Sequence, residues 1–196
     1  MILIDAVKKM KNIAEGMGTE DGDLIFASLP DNHVCQFCSG KCMGAEFGGH
    51  VAEISTPEPF TAKMRLENLF DAPLKSVKTK YAAAGAITTV SGFLMLTRKT
   101  AVCSDVMFED CLAELVDFCK GKDVYIIGKD IAGISQTLTS DEADLILISG
   151  DAFSEDSSVE EIDEVIASGK DVLFVGPNCT GIAAVLQKPS WCPYGT

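Results

Sequence analysis

Three cysteines fall close together in HVCQFCSGKC, residues 33–42: Cys35, Cys38 and Cys42. The only two histidines of the chain, His33 and His50, flank them. A Cys-x2-Cys pair lets two thiolates and the amides between them wrap one ion. Cys42 would add a third ligand, and His33, His50 or the near-terminal Cys192 a fourth. Zinc accepts such a mixed Cys/His set at tetrahedral geometry. An iron–sulfur cluster favours cysteines, with Cys192 or an outside ligand completing it. The same residues also read as a redox dithiol of Cys35 and Cys38, or as three thiols that merely share a loop. His33 and His50 read equally as surface residues.

A second group of candidates lies in residues 122–181. Three apolar runs, residues 123–128 (DVYIIG), 143–150 (ADLILISG) and 171–176 (DVLFVG), each close on a glycine, with a helix-patterned segment at 159–168. Continuous apolar runs bounded by turn residues and alternating with helices predict buried parallel strands. Ligands of parallel sheets bind outside the carboxyl ends of the strands. Here those ends offer Gly128, then Ser149, Gly150 and Asp151, then Gly176, Pro177, Asn178 and Cys179. Ser157 and Ser158, with Glu160 and Glu161, make overlapping capping-box patterns for a helix start, whose free amides suit an anion. Asp151 and Asn178 are expected to face the crevice. Cys179 is expected to be a thiol of lowered pKa that labels faster than Cys111 or Cys119. The alternative is that these glycines only let strands turn tightly into helices. Neither a P-loop nor a GxGxxG fingerprint is present: Ile134 and Ser135 stand where the P-loop needs Lys and Ser/Thr.

These groups need elements to position them. Residues 2–17 have the apolar period of an amphipathic helix, and 23–29 (DLIFASL) read as a strand closed by Pro30. Residues 31–50 read as a Gly- and Cys-rich loop, 50–55 as a short strand and 61–70 as a helix. Residues 81–97 form a helix rich in small residues. Residues 104–120 form another, with Ser104 or Asp105 as its cap and Cys111 and Cys119 on its apolar face. A composition shift near residues 99–104 divides the chain into 1–103 and 104–196. The fold class is α/β, an α+β N-terminal part followed by a Rossmann-like parallel-sheet part. The Pro-bracketed tail (KPSWCPYGT) docks on the body, with Cys192 as packing or as a neighbour of the Cys35 loop or of Cys179.

Bulk properties narrow the partners. The 196 residues are 47% hydrophobic, enough to bury a sizeable core. A formal net charge of -13 repels phosphate backbones, which makes nucleic acid a poor partner, and is compatible with cationic ligands or metals, as with the acidity of many ordinary proteins. Residues 1–16 lack the order of a signal peptide, so the eight cysteines are expected to be reduced thiols in a cytoplasm. The uncharged run 81–97 is expected to be a buried helix rather than a membrane span. A metal or small-molecule ligand is the expected partner, and a homodimer is compatible with the composition.

The segment ADLILISGDAFSEDSSVEEIDEVIASGKDVLFVGP resembles the Rossmann-like half of the heavy-metal chelation domain family, at Asp144, Ser149, Gly150, Glu160, Glu161, Gly176 and Pro177. The upstream GKDVYIIGK and AAAGAI segments extend the similarity over residues 81–181. This chain departs in being short, in its compressed loop 128–143, and in carrying Asn178 where Ser or Thr is usual. The resemblance implies an enolase N-terminal-like α+β part joined to the Rossmann-like part, with a site between them. GPNCTG, residues 176–181, is also similar to the GPNCxG loop of succinyl-CoA synthetase and its relatives. No histidine follows His50, so phosphotransfer through a histidine is excluded. The expected function is a metal-, cluster- or metallocofactor-binding protein, its site between the cysteine loop and the strand ends. The alternative is an enzyme holding an anionic or nucleotide/CoA-like molecule at the Gly-Pro-Asn-Cys loop.

Overall fold

A computed structural model describes residues 1–196. Two four-stranded sheets organise it. The first is antiparallel, in the order β3-β2-β1-β4, from β1 (Asp23–Leu29), β2 (Lys41–Phe47), β3 (His50–Thr56) and β4 (Ala62–Arg65). The second is parallel, in the order β5-β6-β7-β8, from β5 (Val124–Ile127), β6 (Leu145–Ser149), β7 (Val172–Val175) and β8 (Ser190–Trp191). The fold class is thus α/β with an antiparallel part followed by a parallel-sheet part, and the three apolar runs form three of the parallel strands.

Parallel strands follow one another here with no reversal of order. Repeated crossovers of one hand then place their helices on one face. Both crossover helices do so: α5 (Asp156–Ala167) and α6 (Pro177–Leu186) bury Val159, Ile162, Ile182 and Val185 in the same large core. Side chains of each strand alternate between two cores, as the two-residue strand period requires. Ile127, Ile146, Ile148 and Phe174 enter the large core, while Ile126, Leu147 and Val175 enter a smaller one on the opposite face. The smaller core is closed by α4 (Asp105–Cys119) and by the loop carrying Cys35 and Phe37.

The large core also takes in α1 (Ile2–Met17), β1, β2, β3 and α3 (Val77–Phe93). It therefore spans the boundary between residues 103 and 104. Helix α3 lies between the sheets and is buried nearly all round, which accounts for its uncharged small-residue face. No helix is long and apolar enough to cross a membrane.

Several local expectations are corrected. Residues 61–70 form β4 and a single helical turn, α2 (Glu67–Phe70), rather than one helix. The exposed edge of β1 recruits Ala62–Arg65 as an antiparallel partner, and pairing overrides local pattern. The expected loop of residues 31–50 contains β2, which is followed by a two-glycine turn with Gly48 and Gly49 at positive φ. Helix α5 starts at Asp156, and neither Ser157 nor Ser158 caps it. Ser104 does cap α4, its side chain accepting from the Met107 amide. The tail docks: β8 pairs with β7, and the Thr196 carbonyl accepts from the amides of Thr100 and Ala101.

Candidate functional site

The cysteine turn is fastened to the carboxyl ends of the parallel strands. The Cys38 amide donates to the Cys35 carbonyl at 2.9 Å, closing the turn. Lys129, just past β5, donates its ammonium protons to the carbonyls of Gln36 at 3.0 Å and Cys38 at 3.2 Å. Asp151, just past β6, accepts from the Ser39 amide at 2.8 Å. Gly176, at the end of β7, lets that strand end approach the thiols. A Cβ there would lie 3.6 Å from Cys35 Sγ and 3.7 Å from Cys38 Sγ, and its φ of +85° is in the left-handed region. From the other side Phe37 packs edge-on against Phe108 of α4, with ring centroids 4.7 Å apart.

Cys35 and Cys38 are both buried, and one thiol hydrogen-bonds the other. The bond holds the Cys35 thiol below the ordinary range; burial opposes this, and the Phe37 amide and the Lys129 charge assist it. Cys38 is pushed the other way by the same bond, by burial and by the charge on Cys35. One member of the pair thus favours the thiolate and the other the thiol.

More thiols gather beneath this turn. Cys35, Cys103, Cys111 and Cys192 line one small pocket with Trp191 and Tyr194. Cys179 is fully buried on α6, with its thiol directed at the Ile148 carbonyl at 3.7 Å. Its pKa is raised, contrary to the expected lowering by the helix start: burial dominates, and the Cys35 charge adds to it. A thiol that is neither exposed nor ionised is not the expected reactive group.

The remaining expected ligands are placed elsewhere. Cys42 lies in β2, paired across to Leu29 and Ser55, and burial pushes its thiol up to about 11 with Glu53 adding to the effect. His33 is exposed, its Nε2 3.3 Å from Asp105 of α4. His50 sits at the start of β3, 3.2 Å from the Thr100 hydroxyl. No group of three or more His, Cys, Asp or Glu side chains is gathered tightly enough to hold a metal ion. Of the expected set, Cys35 and Cys38 are adjacent, Cys192 shares a cavity with Cys35, and Cys42, His33 and His50 stand in other surroundings. Cys103 and Cys111 were the thiols the spacing concealed, because they reach the loop only through α4.

The strand-end residues divide into two sets. Gly128, Lys129, Asp151, Ser154, Glu155 and Ser158 line most of a polar cavity of about 330 Å³ beside the turn, with Ser39 and Pro57. Ser149 lies beneath it, buried, its hydroxyl accepting from the Lys129 amide at 2.9 Å. Gly150 and Asn178 pack against each other instead: a Cβ on Gly150 would lie 2.6 Å from Asn178 Nδ2. Asn178 is spent on Ser55 of the other sheet, accepting from its amide at 2.8 Å and donating to its carbonyl at 2.7 Å. Pro177 opens α6 at a position where no amide is needed.

Comparison with protein-family models, with curated proteins and with solved structures finds no match to this chain.

Proposed function

We propose that the protein binds a thiophilic metal ion or an iron–sulfur cluster at the junction between the Cys35–Cys38 turn and the carboxyl ends of the parallel strands. One observation carries this reading. Thiols from the loop, from α4 and the segment before it, and from the tail are brought together beneath a turn that Lys129 and Asp151 pin to the strand ends. The donor chemistry suits soft metals, since thiolate sulfur is their preferred ligand. The acidic balance of the chain favours cations, and the resemblance of residues 81–181 to the heavy-metal chelation domain family points the same way. Eight unpaired cysteines are in keeping with a reducing compartment such as the cytoplasm, where thiolate ligands stay available. The support is the convergence of donors; the thiols do not form a closed coordination shell.

Anaerobic purification followed by elemental analysis and a visible spectrum tests the reading. Stoichiometric zinc or iron is expected in the wild type, with loss of it when Cys35 and Cys38 are replaced by Ser. Wild-type protein prepared anaerobically without stoichiometric metal would refute it.

The polar cavity favours a second reading, an enzyme or binding protein for a small anionic molecule. Its lining of hydroxyls and Lys129 beside the start of α5 can accept an anion, although Asp151 and Glu155 oppose one. Stabilisation of the protein by inorganic phosphate or a nucleotide, lost in Lys129→Ala, would support it, and an unchanged melting temperature would exclude it.

A further inference from the structure

Cys35 and Cys38 stand at the two ends of a turn closed by the hydrogen bond from the Cys38 amide to the Cys35 carbonyl at 2.9 Å. The end Cα atoms of such a turn lie within about 7 Å of each other, and a disulfide spans about 4.4–6.8 Å. The two side chains also share one surrounding. Gly176 at the end of β7 faces both sulfurs at once, with a Cβ there 3.6 Å from Cys35 Sγ and 3.7 Å from Cys38 Sγ. Cysteine as a small apolar filler accounts for the burial of either thiol, but not for their pairing across one closed turn. Three bonds hold the turn from outside, two from the Lys129 ammonium to the Gln36 and Cys38 carbonyls and one from the Ser39 amide to Asp151. Access to the pair is narrow, for Cys35 is 4% and Cys38 2% exposed. Cys35 borders a small pocket of about 10 Å³, the room of roughly one water-sized sphere, and Cys38 does not. A disulfide-bearing oxidant must bring its own sulfur against the attacking thiol and has no room there. A peroxide, little larger than water, comes far closer to fitting.

We propose that Cys35 and Cys38 form a peroxide-reactive dithiol, Cys35 taking the oxygen and Cys38 closing a disulfide across the turn. The proposal is independent of the metal-binding reading above, since a pair of thiols needs no further donor. In the first step the Cys35 sulfur attacks one peroxide oxygen and the O–O bond breaks. The other oxygen leaves as water with the thiol proton, and Cys35 becomes a sulfenic acid. In the second step the Cys38 sulfur attacks the Cys35 sulfur and the S–O bond breaks. The hydroxyl leaves as a second water with the Cys38 proton. Each sulfur gives up one electron, and the two peroxide oxygens gain one each. Cys35 reacts first because it is the one of the two that borders the pocket. The disulfide outruns further oxidation of Cys35 because the second sulfur already stands across the turn.

The test is a titration of the reduced, full-length protein with hydrogen peroxide in the presence of a chelator, read by mass spectrometry of the alkylated digest. One equivalent of peroxide should remove two hydrogens from the peptide that carries residues 35–38. Both thiols of that peptide should resist alkylation until a reductant is added. Cys38→Ser should stop at a Cys35 sulfenic acid that a dimedone-type trap captures, and Cys35→Ser should leave Cys38 reduced. Cys111→Ser, which alters another thiol of the same pocket, should leave the disulfide unchanged. Unfolding in urea should speed oxidation by glutathione disulfide roughly 10-fold more than oxidation by peroxide, since access limits the larger oxidant. Circular dichroism checks the fold of each variant, and Cys→Ala replaces any Ser variant that unfolds. Thiols that stay reduced in excess peroxide would overturn the proposal, as would a disulfide from Cys35 to Cys103, Cys111 or Cys192. Equal acceleration of the two oxidants by urea would overturn the choice of peroxide. The metal content of the untreated protein decides the metal-binding reading separately, whichever of these results is found.

Discussion

Asn178 is fully buried, and its amide takes the place of a strand neighbour for Ser55 in β3. Replacing it with Ala would leave an amide and a carbonyl buried without partners. Each such group costs about 1–3 kcal/mol, so Asn178→Ala should destabilise the protein by roughly 2–6 kcal/mol in urea unfolding. Asn178→Asp can keep only the bond from the Ser55 amide and should also destabilise. A variant within experimental error of wild type would show that water replaces the amide. In the sequence, Asn178 reads as a ligand group because it follows a Gly-Pro strand end. Its true partner is 123 residues away and carries no local signal. Cys42 gives a second test at this scale. Burial raises its folded pKa to about 11, against about 8.5 for a free thiol. Its contribution to stability is therefore complete below the free-thiol value and is lost as pH rises towards the folded value. Above pH ~8.5 this one thiol should remove up to about 1.4 kcal/mol per pH unit. Cys42→Ala, though less stable at neutral pH, should lose correspondingly less stability between about pH 8.5 and 10.5. Parallel curves for the two proteins would rule the effect out.

Elements were legible where their signal is local. The amphipathic period of α1, the Ser104 cap of α4 and the apolar runs of β5, β6 and β7 are each written within a few residues. Strands β2, β4 and β8 were not, because a strand set between glycines, a short edge strand and a two-residue tail strand take their conformation from their neighbours. The contact of α3 with α6 is a further case. Gly181 of α6 faces the α3 backbone so closely that a Cβ would lie 2.4 Å from Thr88 Cα. Gly85 faces the antiparallel sheet, where a Cβ would lie 3.1 Å from Ile54 Cδ1 and 3.3 Å from Ala45 Cβ. Side chains can yield and a helix backbone cannot. Gly181→Ala should therefore force α6 off α3, at a cost of roughly 1–3 kcal/mol or more. Gly85→Ala should cost clearly less, since the gain in helix propensity offsets mild crowding. Thermal unfolding of the two variants measures the order, and a Gly85 variant less stable than the Gly181 variant would reverse it.

At the scale of the whole molecule, composition and pattern suggest two parts meeting near residue 103, and the two sheets do fall on either side of it. The packing nevertheless joins them. One core holds Leu3 of α1, Phe26 of β1, Ile54 of β3, Ile87 of α3, Ile148 of β6 and Ile182 of α6. Helix α3 belongs by sequence to the first part, yet it buries side chains against both. Two of its polar contacts also cross the boundary: the Tyr81 hydroxyl lies 3.1 Å from the Gly150 carbonyl and 2.8 Å from the Ser154 hydroxyl. Neither part can open without exposing the apolar face of the other, so the chain should unfold as one cooperative unit. Three probes report on different regions. Trp191 fluorescence senses the parallel sheet, labelling of Cys42 senses the antiparallel sheet, and far-UV circular dichroism senses the helices between them. Their urea transitions are expected to coincide, and residues 1–103 expressed alone should lack a cooperative transition. Fluorescence and Cys42 labelling that change at clearly different urea concentrations would instead establish two independent domains, and the apolar contact between α3 and α6 would then have to be weaker than its burial implies.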